Sequence, residues 1–231
     1  MSNRRLGYLV IAINAVFTSS FMLFIYKLTA LEVSTGSWIT GCVVLGTYVL
    51  LMSLFGIAVR LRNGRDMLAL GAILMSVVLA FGANLVTELA YLGRNFITSL
   101  GCPNYDSVCL SLVHVTAVPA GLALLAIGVI GTYTLTYLLI KEVEATYWIK
   151  DYGSLLTLAS GTLIIAASAL VIVKVTALSS SIVPASSEII AYVVPLIINT
   201  LLYVGAVLYV LGITSCSYLL GRELIKPEAI E

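Results

Sequence analysis

Hydrophobic residues fall in six long runs separated by short polar connections. They extend from about Gly7 to Leu31, Trp38 to Val59, Met67 to Leu92, Val113 to Ile140, Leu155 to Leu178 and Ile189 to Leu220. A hydrocarbon core about 30 Å thick is crossed by roughly 20 helical residues, so each run is long enough to span it. The pattern predicts an all-α fold, a polytopic transmembrane helical bundle of six spans forming one domain over residues 1–231. The longest connection, 93–112, separates the third and fourth spans. The fourth and sixth runs exceed what a bilayer needs, so their ends are expected to protrude or the helices to tilt.

The polar, basic start from Met1 to Arg5 ahead of an apolar run has the outline of a signal peptide. The run from Tyr8 to Ile25 is longer than a signal core, however, and no clear small-x-small cleavage site follows it. It is expected to remain as the first span.

Charge placement sets the orientation. Arg4, Arg5, Arg60, Arg62, Arg65, Lys141, Lys150, Arg222 and Lys226 all fall on one side if there are six spans. Arg94 lies on the other side, and Lys27 and Lys174 occupy helix ends facing that way. Basic residues favour cytoplasmic connections. Both termini are therefore expected in the cytoplasm of a multi-pass cell-membrane protein, with loop 93–112 on the non-cytoplasmic side.

Composition agrees with a lipid partner. The chain is 61% hydrophobic and 10% charged with a mean hydropathy of +1.10, against roughly half apolar and a quarter charged in soluble domains. A net charge of +1 argues against nucleic acid, whose phosphates call for a basic surface. Between Lys141 and Tyr152 the aromatics Tyr147, Trp148 and Tyr152 stand among charges, a mixture suited to the lipid headgroup level. A helical extension or short interfacial helix is expected there.

Repetition is slight. Lys27-Leu28-Thr29-Ala30-Leu31 matches Lys174-Val175-Thr176-Ala177-Leu178 in part, and Gly46-Thr47-Tyr48 matches Gly131-Thr132-Tyr133. These pairs have the same direction through the membrane, which fits duplicated hairpins and not inverted repeats.

Candidate chemistry is sparse. Cys102 and Cys109 close a small loop on the expected outer side and point to a disulfide. A redox pair is disfavoured because the chain has no Cys-x-x-Cys. The single histidine, His114, excludes bis-histidine haem within one chain and histidine-rich metal centres, and it disfavours a zinc site completed on the cysteine pair. No cofactor or metal is implied.

Ionisable groups inside spans are costly and therefore informative. Lys27, Glu88 and Lys174 are expected at similar depth near the outer ends of spans one, three and five. Asn84 and Thr87 extend Glu88 into a polar stripe, since residues four apart share a helix face. This cluster is a vestibule for an ion or solute, or a set of snorkelling lysines around a structural ion pair. Asn14 and Asn199 lie deeper and are expected to make interhelical hydrogen bonds. Pro119 and Pro195 are expected to bend spans four and six. Gly41, Gly46, Gly128, Gly131 and the run Ala166-Ala167-Ser168-Ala169 offer surfaces for close helix approach.

No nucleophile elbow, zincin motif, P-loop or potassium-filter sequence occurs. The expected function is accordingly non-catalytic: a structural or accessory subunit of a larger membrane complex, for instance a respiratory one. Its partners would be the bilayer and other membrane subunits or further copies of itself. The alternative is a small-solute or ion transporter or channel built on the outer polar cluster.

Overall fold

The computed structural model of the chain describes residues 3–29, 35–63, 67–87, 107–179 and 194–226. Regular structure among them is entirely α-helical, in six helices: α1 Asn3–Thr29, α2 Thr35–Asn63, α3 Met67–Thr87, α4 Ser107–Tyr147, α5 Tyr152–Ser179 and α6 Val194–Ile225. Five of them contain segments long and apolar enough to cross a membrane: Asn3–Phe24, Ile39–Leu61, Ala120–Tyr147, Tyr152–Leu170 and Leu196–Ile225. In α3 the apolar stretch Met67–Gly82 is shorter. Helices of this length and composition are those of a membrane-embedded bundle, because lipid requires every backbone polar group to be bonded within its own segment.

Helix ends differ from the apolar runs in an informative way. The 41 residues of α4 make a rod of roughly 60 Å, about twice the hydrocarbon thickness. It begins at Ser107, inside the segment 93–112 expected as loop, and continues beyond Ile140 to Tyr147. Hydropathy marks only the stretch that lipid would cover, whereas helical hydrogen bonding continues through the flanking polar residues. The helix also runs unbroken through Pro119. Pro195 stands in the first turn of α6, where a missing N–H costs little.

The junction between α4 and α5 is a tight cap. The N–H of Ile149 donates to Glu144 O at 2.9 Å, and Trp148 adopts φ 55°. A left-handed residue closing the helix, followed by a bond back across five residues, is the Schellman arrangement, which normally selects glycine. The left-handed conformation costs an L side chain about 1–2 kcal/mol. Trp148→Gly should therefore be more stable than Trp148→Ala by about 1 kcal/mol in thermal unfolding, because both lose the indole and only glycine relieves the backbone. Equal midpoints would contradict a left-handed residue 148. After the turn, Asp151 opens α5, its carbonyl accepting from Leu155 N at 3.2 Å and Ser154 Oγ at 3.3 Å.

Two compact units emerge. The first comprises Met1–Ile73, Tyr133–Ile164 and Leu201–Glu231 and holds a core that includes Val10, Phe17, Leu51, Phe55, Leu139, Ile140, Ile213 and Leu220. Glycines let its helices touch backbone to backbone. A Cβ on Gly7 would meet Gly221 O at 2.7 Å, bringing α1 against α6, and one on Gly212 would meet Gly153 O at 2.9 Å, bringing α6 against α5. The second unit comprises Leu74–Thr132 and Ile165–Thr200. There α3 and α4 press together: a Cβ on Gly128 would lie 2.5 Å from Leu79 Cα, and one on Gly82 would lie 2.6 Å from Leu125 N. Gly128 and Gly131 thus serve close approach as expected. Gly46 does not, since nothing lies within 4 Å of its added Cβ.

Candidate functional site

The polar cluster expected from sequence is only partly placed. Lys27 lies in the last turn of α1, Asn84 and Thr87 in the last turn of α3, and Lys174 near the end of α5. Their side chains, and the whole of Glu88, lie outside the described residues. Cys102 lies outside them too, as does the side chain of Cys109 in the first turn of α4. The cluster and the cysteine pair therefore rest on the sequence alone. Cys42 and Cys216 are free thiols, exposed and buried respectively.

What the first unit does bring together is a series of polar groups inside an otherwise apolar interior. Asn14 on α1 is buried, and its Nδ2 donates to Thr214 O on α6 at 3.4 Å. Thr18, one turn on, donates to Asn14 O at 2.9 Å and lies 3.1 Å from Thr214 Oγ1. The expected interhelical role of Asn14 is therefore present, although its Oδ1 is buried with no donor among the described residues. Asn199 is exposed on α6.

A second group centres on Thr136 of α4, which is fully buried. Its Oγ1 accepts from Tyr209 OH of α6 at 3.2 Å and lies 2.8 Å from Tyr48 OH of α2. The tyrosine rings of Tyr133 and Tyr209 meet with centroids 4.6 Å apart, a tilted aromatic contact. Nearby, Ser160 of α5 donates to Gly205 O of α6 at 2.7 Å. Three helices are tied through one threonine hydroxyl. Such bonds in membrane bundles contribute about 0.6 kcal/mol on average, because the unpacked helices find other partners. A double-mutant cycle on Tyr48→Phe and Thr136→Val should give a coupling of about that size, and a coupling of zero would remove the bond from the account.

The third group contains the one buried carboxylate among the described residues. Glu144 of α4 is 1% exposed. Its Oε1 accepts from the N–H of Ser154 at 3.0 Å, in the first turn of α5, where free N–H groups and the helix dipole favour a negative charge. Gly153 allows this approach: a Cβ there would lie 2.8 Å from Glu144 Oε1 and 2.9 Å from Cys216 Cβ of α6. Thr157 closes the next turn by donating to Gly153 O at 2.8 Å. Glu144 Oε2 is buried with no partner among the described residues. The carboxylate thus acts as a tertiary cap, binding the end of one helix to the start of the next.

Sequence reasoning missed Glu144 by reading Lys141 to Tyr152 as a whole, as charges and aromatics at the lipid headgroup level, without singling out this carboxylate. A signal existed, because Glu144 stands four residues after Ile140 and eight after Thr136, on the apolar face of the helix. Among the described residues no three His, Cys, Asp or Glu side chains converge as a metal site would require. No protein-family model matches the chain, and no curated protein or solved structure matches it either.

Proposed function

We propose that the chain is a non-catalytic integral membrane protein that serves as a structural or accessory subunit of a larger membrane assembly. In this reading it crosses the cell membrane six times, with both termini cytoplasmic and residues 93–112 outside. The observation that carries it is the use made of the buried polar groups in the first unit. Tyr48 and Tyr209 both bond to Thr136 across helices, Ser160 bonds to a neighbouring backbone, and Glu144 caps α5. Each holds one helix to another, as in a scaffold. Meanwhile Ile39, Leu70, Leu74, Phe81, Leu155 and Leu196 are all more than half exposed, which leaves apolar surface for lipid or for neighbouring subunits.

Native mass measurement after extraction in mild detergent tests the proposal. A defined complex containing other polypeptides is expected. A lone monomer or homo-oligomer would overturn the subunit reading and leave the alternative, transport through the Lys27, Asn84, Thr87, Glu88 and Lys174 cluster, to be tested by flux. Flux into liposomes that is lost in Glu88→Gln would then be the confirming observation.

A further inference from the structure

The α4–α5 junction displays its indole in an unusual way. Trp148 is 90% exposed and occupies the left-handed position that a helix cap ordinarily gives to glycine. Only residues 148–151 separate the apolar segments Ala120–Tyr147 and Tyr152–Leu170. A connection so short between two helices read as membrane-crossing turns the chain back on one side of the membrane, close to the ends of both apolar segments.

A hydrogen bond between helices gives a second, independent indication of level. Tyr147 OH donates to Ala58 O at 2.9 Å, which sets the end of α4 beside the end of α2. Two residues beyond Ala58 stands Arg60, exposed, so a guanidinium and the indole occupy neighbouring heights. Lys150 Nζ lies 6.0 Å from the centroid of the Tyr152 ring, and Tyr152 is itself exposed. On the outward stripe of α4, Leu138, Lys141, Ala145 and Trp148 follow one another. The stripe changes from aliphatic, through a lysine long enough to reach outward, to indole.

We infer that Trp148 is seated in the lipid headgroup layer. There it fixes the vertical position of the α4–α5 hairpin, with Arg60 and Lys150 at the level of the lipid phosphates. The physical basis is the amphipathic indole, whose ring favours the interface over both water and hydrocarbon. Held on a rigid cap between two helices, it transmits that preference to both. This inference rests on the membrane reading of the bundle but not on the subunit proposal.

Trp148 is one of two tryptophans, so the full-length Trp38→Phe variant reports on it alone. The variant is reconstituted into phosphatidylcholine vesicles whose acyl chains carry a nitroxide near the headgroup or near the methyl end. Flotation confirms insertion separately. Emission should be blue-shifted relative to indole in water, and the shallow nitroxide should quench about twofold more than the deep one. Acrylamide should quench weakly. If Trp38→Phe fails to fold, the difference between wild type and Trp148→Phe supplies the same signal. Strong acrylamide quenching with no effect of nitroxide depth, in vesicles that float with the protein, would overturn the inference and place the indole in water. Strongest quenching by the deep label would overturn it as well.

Discussion

Gly212→Val should lower stability by about 3 kcal/mol, the upper part of the usual range for overpacking. A Cβ at this position would meet Thr157 Oγ1 at 2.6 Å, Gly153 O at 2.9 Å and Thr157 N at 3.1 Å. Two of these atoms belong to backbone, so the added methyl groups can be accommodated only by separating α5 from α6. Separation would also draw Gly153 away from Glu144 and weaken the cap on α5. Gly46→Ala is the matched control. It adds a methyl where nothing lies within 4 Å and should gain about 0.5–1 kcal/mol from helix propensity alone. Denaturant titration in mild detergent reads both. Similar behaviour of the two variants would contradict the close crossing at Gly212.

The next largest effect is expected at Glu144. Glu144→Ala removes the acceptor of the Ser154 N–H and leaves a void in a packed interior, at a combined cost of about 3 kcal/mol. Glu144→Gln keeps an acceptor oxygen of the same reach. It loses the favourable interaction of a negative charge with the start of α5, about 0.3–1 kcal/mol. Against that, it removes a buried charge whose Oε2 has no partner among the described residues. The glutamine variant should therefore stay within about 1 kcal/mol of wild type. Thermal unfolding separates the cases: a glutamine variant as damaged as the alanine variant would show that the charge itself holds the junction.

Much of the fold was legible because lipid imposes so strict a rule on sequence. The runs beginning at Met67 and Leu155 announce helices without any help from tertiary contacts. The course of α4 past Ile140 was harder to see, because a helix leaving the hydrocarbon no longer has to be apolar. Asn14 could be marked as an interhelical partner from its position in an apolar run, but nothing local identifies Thr214, 200 residues away. The Tyr48–Thr136–Tyr209 group was likewise invisible, since its members are 88 and 73 residues apart and each passes for an ordinary span residue. Gly46 and Gly131 occur in the same Gly-Thr-Tyr triplet, yet a Cβ would lie 2.7 Å from Met75 Sδ at Gly131 and meet nothing at Gly46. Close approach belongs to the packing and not to the triplet.

Sided labelling of introduced cysteines tests the proposal of six crossings most directly. With the four native cysteines replaced by alanine, Ser2→Cys, Asn104→Cys and Glu228→Cys are treated in sealed cells with a membrane-impermeant maleimide. Position 104 should label at once, and positions 2 and 228 only after the membrane is permeabilised. Labelling of position 2 or position 228, but not both, from outside would mean an odd number of crossings and would contradict the account.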